Sequence, residues 1–162
     1  MDKTGKTIYV MVGLPRSGKS TVCKLLGFPI VSKDAIRLTV HGTPFKEDME
    51  SYVHGVCDLM VNSLFNAGHK GVIVDECHVT IASRSRWENL GYAVRIVYIP
   101  TGRKECIDRA RASGQEYLVP IIKRMDHNFH RPSEHEVWYE VPLEKAMVPV
   151  LTRAMMMEWV NE

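Results

Sequence analysis

No run of about 18 consecutive apolar residues and no cationic start followed by an apolar core occurs in this sequence. Those absences argue against a membrane span and a secretory leader and predict a cytosolic protein. Cysteine is scarce: Cys23, Cys57, Cys77 and Cys106 stand far apart with no Cys-x-x-Cys pair, a poor metal framework that reads as scattered reduced thiols. Charge of one sign is missing too, since 21 basic side chains face 19 acidic ones, which gives no field for a long nucleic-acid track or an acidic membrane. Repeats, low-complexity tracts and Gly/Ser linkers are absent. The expectation is one domain over residues 1–162, of a length that can bury a sizeable core; oligomeric state is not legible.

Thr7–Val12 is a short β-branched, almost wholly apolar run that stops at Gly13, the pattern of a strand covered on both faces. Similar runs occur at 29–31, 72–74, 93–99 and 137–141. Helical spacing is clearest over 46–66, where Met49, Val53, Val56, Met60, Val61 and Leu64 recur at three- and four-residue intervals before Gly68. Further helices are predicted over 18–26, 34–40, 81–90, 104–112 and 120–128, and a last one from Pro142 towards Trp159 with a kink at Pro149. Strands alternating with helices predict an α/β fold: a three-layer sandwich whose parallel sheet of about five strands carries helices on both faces. Ligands of such sheets sit at the carboxyl ends of the strands.

Directly after the first strand stands Gly13-Leu14-Pro15-Arg16-Ser17-Gly18-Lys19-Ser20, with Thr21 following in a helical segment. This fits G-x-x-x-x-G-K-[ST] in the strand–loop–helix context the motif requires. Backbone N–H groups wrap phosphate oxygens, and the positive end of the next helix adds attraction. Gly13, Pro15, Arg16, Ser17, Gly18, Lys19, Ser20 and Thr21 are therefore the candidate nucleotide-binding residues. Lys19 would reach the β- and γ-phosphates and the Ser20 hydroxyl would ligate Mg²⁺. No guanine-reading [NT]-K-x-D occurs, so ATP is the expected nucleotide.

Ser32-Lys33-Asp34-Ala35-Ile36-Arg37 follows the second strand, placing Asp34 and Arg37 at i and i+3 on the first turn of a helix. Beside the phosphate loop, Asp34 can take a proton from an acceptor hydroxyl and Arg37 can hold an anionic group on that acceptor; alone, the pair would also serve as an end-of-helix ion pair. After the third strand come Asp75-Glu76-Cys77-His78. Asp75 is the first candidate for orienting the hydrated metal and Glu76 the second, His78 reads as an acceptor contact or a solvated loop residue, and Cys77 as packing. The string also matches the acidic box of DExH helicases, but one domain leaves no room for their second lobe.

Phosphoryl transfer spreads negative charge over the moving group, so fixed cations are needed from a lid. Arg103, Lys104, Arg109 and Arg111 follow the fourth strand; Arg109 and Arg111 point to different faces of a helix, and Arg109 is the one expected on phosphate. Arg84 and Arg86 read as surface or acceptor-binding residues. His127, His130 and His135 with Glu134 and Glu136 repeat no closed metal-ligand spacing, and Phe129 and Trp138 read as core more readily than as base-stacking residues.

The combination GLPRSGKS, SKDAIR, KGVIVDECH, and CIDRAR followed by VPIIKRM resembles the polynucleotide 5′-hydroxyl kinase group of small P-loop kinases, over about residues 7–136. The resemblance implies a P-loop fold with a small helical lid and transfer of the ATP γ-phosphate to a 5′-hydroxyl of DNA or RNA. It implies Lys19, Asp34, Arg37 and Arg109 as catalytic residues, with Asp34 as general base, Arg37 at the acceptor phosphate and Arg109 on the lid. Departures are Ser113, where some members carry a second lid arginine, His78 where a small polar residue is common, and the lack of a D-x-D-G-T phosphatase motif. The architecture also serves kinases of small molecules, nucleotide sugars and aminoacyl-tRNA, so a small-molecule acceptor is the alternative and an ATPase switch the more distant one.

Overall fold

Thr7–Val12 forms β1, the middle strand of the sheet, because both of its faces are apolar. Ile8, Val10 and Val12 point into one core with Val53, Cys57, Val61 and Phe65, while Tyr9 and Met11 point into a second core with Val22, Cys23 and Leu26. That alternation is the two-residue period of a strand covered from both sides. The protein is seen in a computed structural model that describes residues 3–43 and 45–141; the expected helix from Pro142 lies outside the described residues.

Along the chain follow α1 Lys19–Leu26, β2 Ile30–Ser32, α2 Lys33–His41, α3 Glu50–Asn66, β3 Gly71–Asp75, α4 Ile81–Ser85, β4 Ala93–Tyr98, α5 Arg103–Ala112, α6 Leu118–His127 and β5 Trp138–Glu140. The sheet is wholly parallel, in the order β2-β3-β1-β4-β5. This is the P-loop α/β fold, and it matches the strand and helix expectations to within a few residues. α1 covers one face and α3 the other; α5 and α6 pack on each other through Cys106, Ala110 and Ile122 beneath Leu14. No described helix is long and apolar enough to cross a membrane.

Two predicted helices are interrupted. The 46–66 helix begins as a 3-10 turn over Glu47–Met49, and the 81–90 helix changes to 3-10 at Arg86–Leu90. The second change has a packing cause: Arg84 and Trp87 are both buried and Leu90 packs on the same core, and a spacing of three aligns side chains in a 3-10 helix.

The sheet order places the carboxyl ends of β2, β3 and β1 side by side. Ser32 is in register with Asp75, and Val31 with Val74, so the residues just after β2 and β3 are held one strand spacing apart, about 4.8 Å.

Candidate active site

The turn after β1 is tight enough to dictate its glycines. A Cβ on Gly13 would lie 2.8 Å from Ser17 Oγ and 3.0 Å from the Ile99 carbonyl oxygen, and Gly18 adopts φ 110° on entering α1, a conformation that L side chains resist. Thr101 Oγ1 donates to the Ser17 carbonyl at 2.8 Å, fastening the loop to the segment after β4. Inside it the Ser17 hydroxyl is buried with no partner, a polar group placed for an anion the loop would hold. Lys19, itself buried, bends back so that Nζ donates to the carbonyls of Gly13 (3.1 Å) and Leu14 (2.7 Å). Phosphate oxygens are the natural exchange for those two carbonyls.

Ser20 Oγ donates to Asp75 Oδ2 at 3.0 Å, so the two residues read as metal ligands meet at the mouth of the loop. Hydroxyl and carboxylate oxygens are the hard donors Mg²⁺ takes, and that cation is normally held by one or two such groups with water and phosphate. Burial pushes the Asp75 carboxyl above its ordinary value, offset in part by the Ser20 hydrogen bond and Lys19. The residues fit the cation.

At the end of β2, Ser32 caps α2 by accepting from the Ala35 N–H at 3.4 Å, and this turn presents Asp34. Its side chain is 82% exposed, held by one oxygen, Oδ1, to Arg37 Nη1 at 2.6 Å. The register of β2 with β3 sets this turn beside Asp75, and so on the same rim as the Ser20–Asp75 pair. Arg37 is less free. Its Nε and Nη2 donate to the two oxygens of Glu50, each at 2.8 Å, a bidentate pair that joins α2 to α3.

Sequence reasoning missed the group beneath. Lys33 Nζ is buried and meets Glu50 Oε2 at 3.0 Å, Glu76 Oε1 at 2.8 Å and His54 Nε2 at 2.6 Å. His54 is held below its ordinary pKa by burial and by Lys33, so it is neutral and accepts from the ammonium. Glu50, hydrogen-bonded to Arg37 and Lys33, has its carboxyl pushed down to about 2. A signal existed: Glu50 and His54 are four apart, one turn of α3, and so share a face.

Arg109 reaches the phosphate loop from α5. Its Nη1 donates to the Arg16 and Ser17 carbonyls at 3.2 and 3.1 Å, and its other nitrogen pairs with Glu105. Arg111 points elsewhere, to Glu116 at 3.2 Å, as the two-residue spacing implied.

Other expectations are corrected. His78 is no acceptor contact and no solvated loop residue: it is buried, Nδ1 faces the Met11 carbonyl at 2.8 Å, and Trp87 Nε1 donates to Nε2 at 2.9 Å. Because an indole N–H only donates, Nε2 must accept and Nδ1 carries the proton; burial lowers the ring's pKa further. Arg84 is neither surface nor acceptor-binding but enclosed with Glu136, and Arg86 is tied to Asp58 at 2.7 Å and stacked on Trp87. Phe129 and Trp138 pack around Tyr98. Among the described residues no His/Cys/Asp/Glu group could hold a metal by itself, and a cavity of about 140 Å³ beside Arg84 and Glu136 lies away from the loop.

A family model described as an AAA domain matches residues 8–130. Solved structures with the same fold include a gluconokinase from Sinorhizobium meliloti 1021, 17% identical with a TM-score of 0.67, covering 99% of this chain and 96% of that one. They also include the Mycobacterium tuberculosis APS kinase CysC in complex with AMPPNP and APS, 17% identical with a TM-score of 0.68 and 98% of each chain covered. A chain of the Pnkp1/Rnl/Hen1 RNA repair complex is 16% identical with a TM-score of 0.58, over 77% of this chain and 46% of that one. No curated protein matches the sequence significantly.

Proposed function

This chain belongs to the AAA-domain family matched over residues 8–130, and from that membership we propose a P-loop kinase that moves the γ-phosphate of ATP to a hydroxyl of a small molecule. The observation that carries the proposal is Asp34: a carboxylate with one oxygen unengaged, at the end of β2 beside the Ser20–Asp75 pair. A nucleotide switch has no use for a base at that place. The small-molecule acceptor, the alternative to a 5′-hydroxyl end, is favoured by the neighbours: a gluconokinase and an APS kinase match over nearly their whole length, whereas the RNA repair chain is covered over 46%.

In this mechanism the loop amides and Lys19 hold the β- and γ-phosphates, Lys19 leaving the Gly13 and Leu14 carbonyls to do so. Ser20 and Asp75 would hold Mg²⁺, which supplies charge neutralisation on the phosphate oxygens. Arg109, positioned over the loop, steadies the transferring group. Asp34 accepts the proton of the attacking hydroxyl, and Arg37 fixes the rotamer of Asp34.

The test is ATP labelled in the γ-phosphate, offered with pooled sugars, sugar acids and nucleoside phosphosulfates and, separately, with a 5′-hydroxyl oligonucleotide. Label in a small molecule supports the proposal. Label in the oligonucleotide alone restores the polynucleotide reading, and inorganic phosphate released without any acceptor overturns kinase activity. Within the same reading, Arg109→Ala is expected to weaken ATP binding about 10–100-fold, the worth of a charged hydrogen bond of about 1.5–3 kcal/mol. Arg111→Ala is expected to leave it within about twofold, as suits an exposed ion pair; calorimetric titration of both variants with Mg·ATP distinguishes them.

A further inference from the structure

The acceptor side carries its cations in an unusual state. Lys33 and Arg37 are the two basic side chains that the β2–α2 turn brings towards Asp34, and both are already committed to carboxylates. Arg37 spends two nitrogens on Glu50 and the third on Asp34. Lys33 spends its ammonium on Glu50, Glu76 and neutral His54. Three carboxylates thus face two cations, and Glu50 touches both. Arg86, the next cation along, pairs through Nη2 with Asp58 and lies over the Trp87 ring, while its Nη1 is buried, shut off from solvent and without a partner. Beside them stands an open aromatic surface: Phe45 is 61% exposed, with its ring 5.6 Å from the Arg37 guanidinium.

We propose that Glu50 sets the charge class of the acceptor, sequestering Arg37 and Lys33 so that the site takes an uncharged polyhydroxyl compound rather than an anionic one. The inference rests on the kinase reading above and narrows it. An anionic acceptor would have to displace Glu50 from a bidentate, largely buried pair, or sit beside an excess of negative charge; a neutral polyol needs neither. Sugar C–H faces can lie on Phe45 while hydroxyls meet the free oxygen of Asp34. The reading of Arg37 as a clamp for an acceptor anion is replaced by one in which it positions Asp34.

The experiment measures transfer of labelled γ-phosphate to matched pairs that differ only in charge, a hexose or hexitol against the corresponding sugar acid, with wild type and Glu50→Gln. Wild type is expected to favour the uncharged member by about tenfold or more in kcat/KM. Glu50→Gln, which keeps the shape but removes the negative charge and one of the two acceptors that hold the guanidinium, is expected to narrow that ratio about tenfold through the KM of the acid, with ATP affinity unchanged. A wild-type preference for the acid, or a ratio indifferent to Glu50→Gln in a folded variant, overturns the inference while leaving phosphotransfer standing. If no member of any pair takes label although Mg·ATP binds, the kinase reading itself fails and this inference with it. Thermal melting shows whether Glu50→Gln is folded; if it is not, the wild-type ratio alone decides.

Discussion

Asp34→Asn is expected to bind Mg·ATP as tightly as the wild type and to transfer phosphate ~10²–10⁴-fold more slowly, the scale of general base catalysis. The two halves of that expectation come from different parts of the structure. Asp34 sits on the first turn of α2 and makes its hydrogen bond to Arg37, not to the phosphate loop, so its loss leaves the nucleotide's contacts alone. Asparagine keeps the shape and can still accept from Arg37 Nη1, but it takes up no proton. Single-turnover transfer measured beside equilibrium ATP titration separates the two. Unchanged turnover would remove Asp34 from the mechanism, and a parallel loss of ATP affinity would show that the substitution disturbs the loop.

What could be read from residues alone was what is local. β1, the glycine-bounded loop and α1 follow one another within twenty residues, and the run Thr7–Val12, the motif and the period of Val22, Cys23 and Leu26 each depend only on near neighbours in the chain. The hydrogen bond between Ser20 and Asp75 follows from the sheet order, because a parallel sheet brings strand ends together whatever the lengths between them. Failures came where a side chain's fate is decided by distant partners. His78 looks like a loop residue until Met11, 67 positions earlier, and Trp87, nine later, are seen to use both ring nitrogens. The pairing of Arg37 with Glu50, which comes from the next helix, is likewise invisible in the run Ser32–Arg37. Arg84 looks like a surface arginine because an apolar periodicity assigns no place to a buried cation; its partner is 52 residues on.

Arg84→Met is expected to destabilise the fold by about 3–5 kcal/mol, the cost of breaking a buried ion pair from one side. In a domain of this length that lowers the melting midpoint by about 10 °C. The guanidinium is 1% exposed and every nitrogen is engaged: Nε and Nη2 donate to the two oxygens of Glu136 at 2.6 and 3.0 Å, and Nη1 to the carbonyls of His78 and His130 at 3.2 and 2.9 Å. Methionine fills the volume but leaves two carbonyls and a half-buried carboxylate without their donor. Burial of Glu136 works against its charge, and Arg84 with Ser133 more than offsets that, holding its carboxyl below the ordinary value. Arg84→Met/Glu136→Gln removes the stranded charge as well and is expected to recover part of the loss, so the double cycle separates pair from desolvation. The effect should also reach the site. Arg84 grips the His78 carbonyl, three residues past Asp75, so loosening that segment is expected to weaken Mg²⁺ dependence of ATP binding before it touches Lys19. A variant that melts within about 2 °C of wild type would show that the enclosed arginine is dispensable and that the loop after β3 is held by the His78–Trp87 hydrogen bond instead.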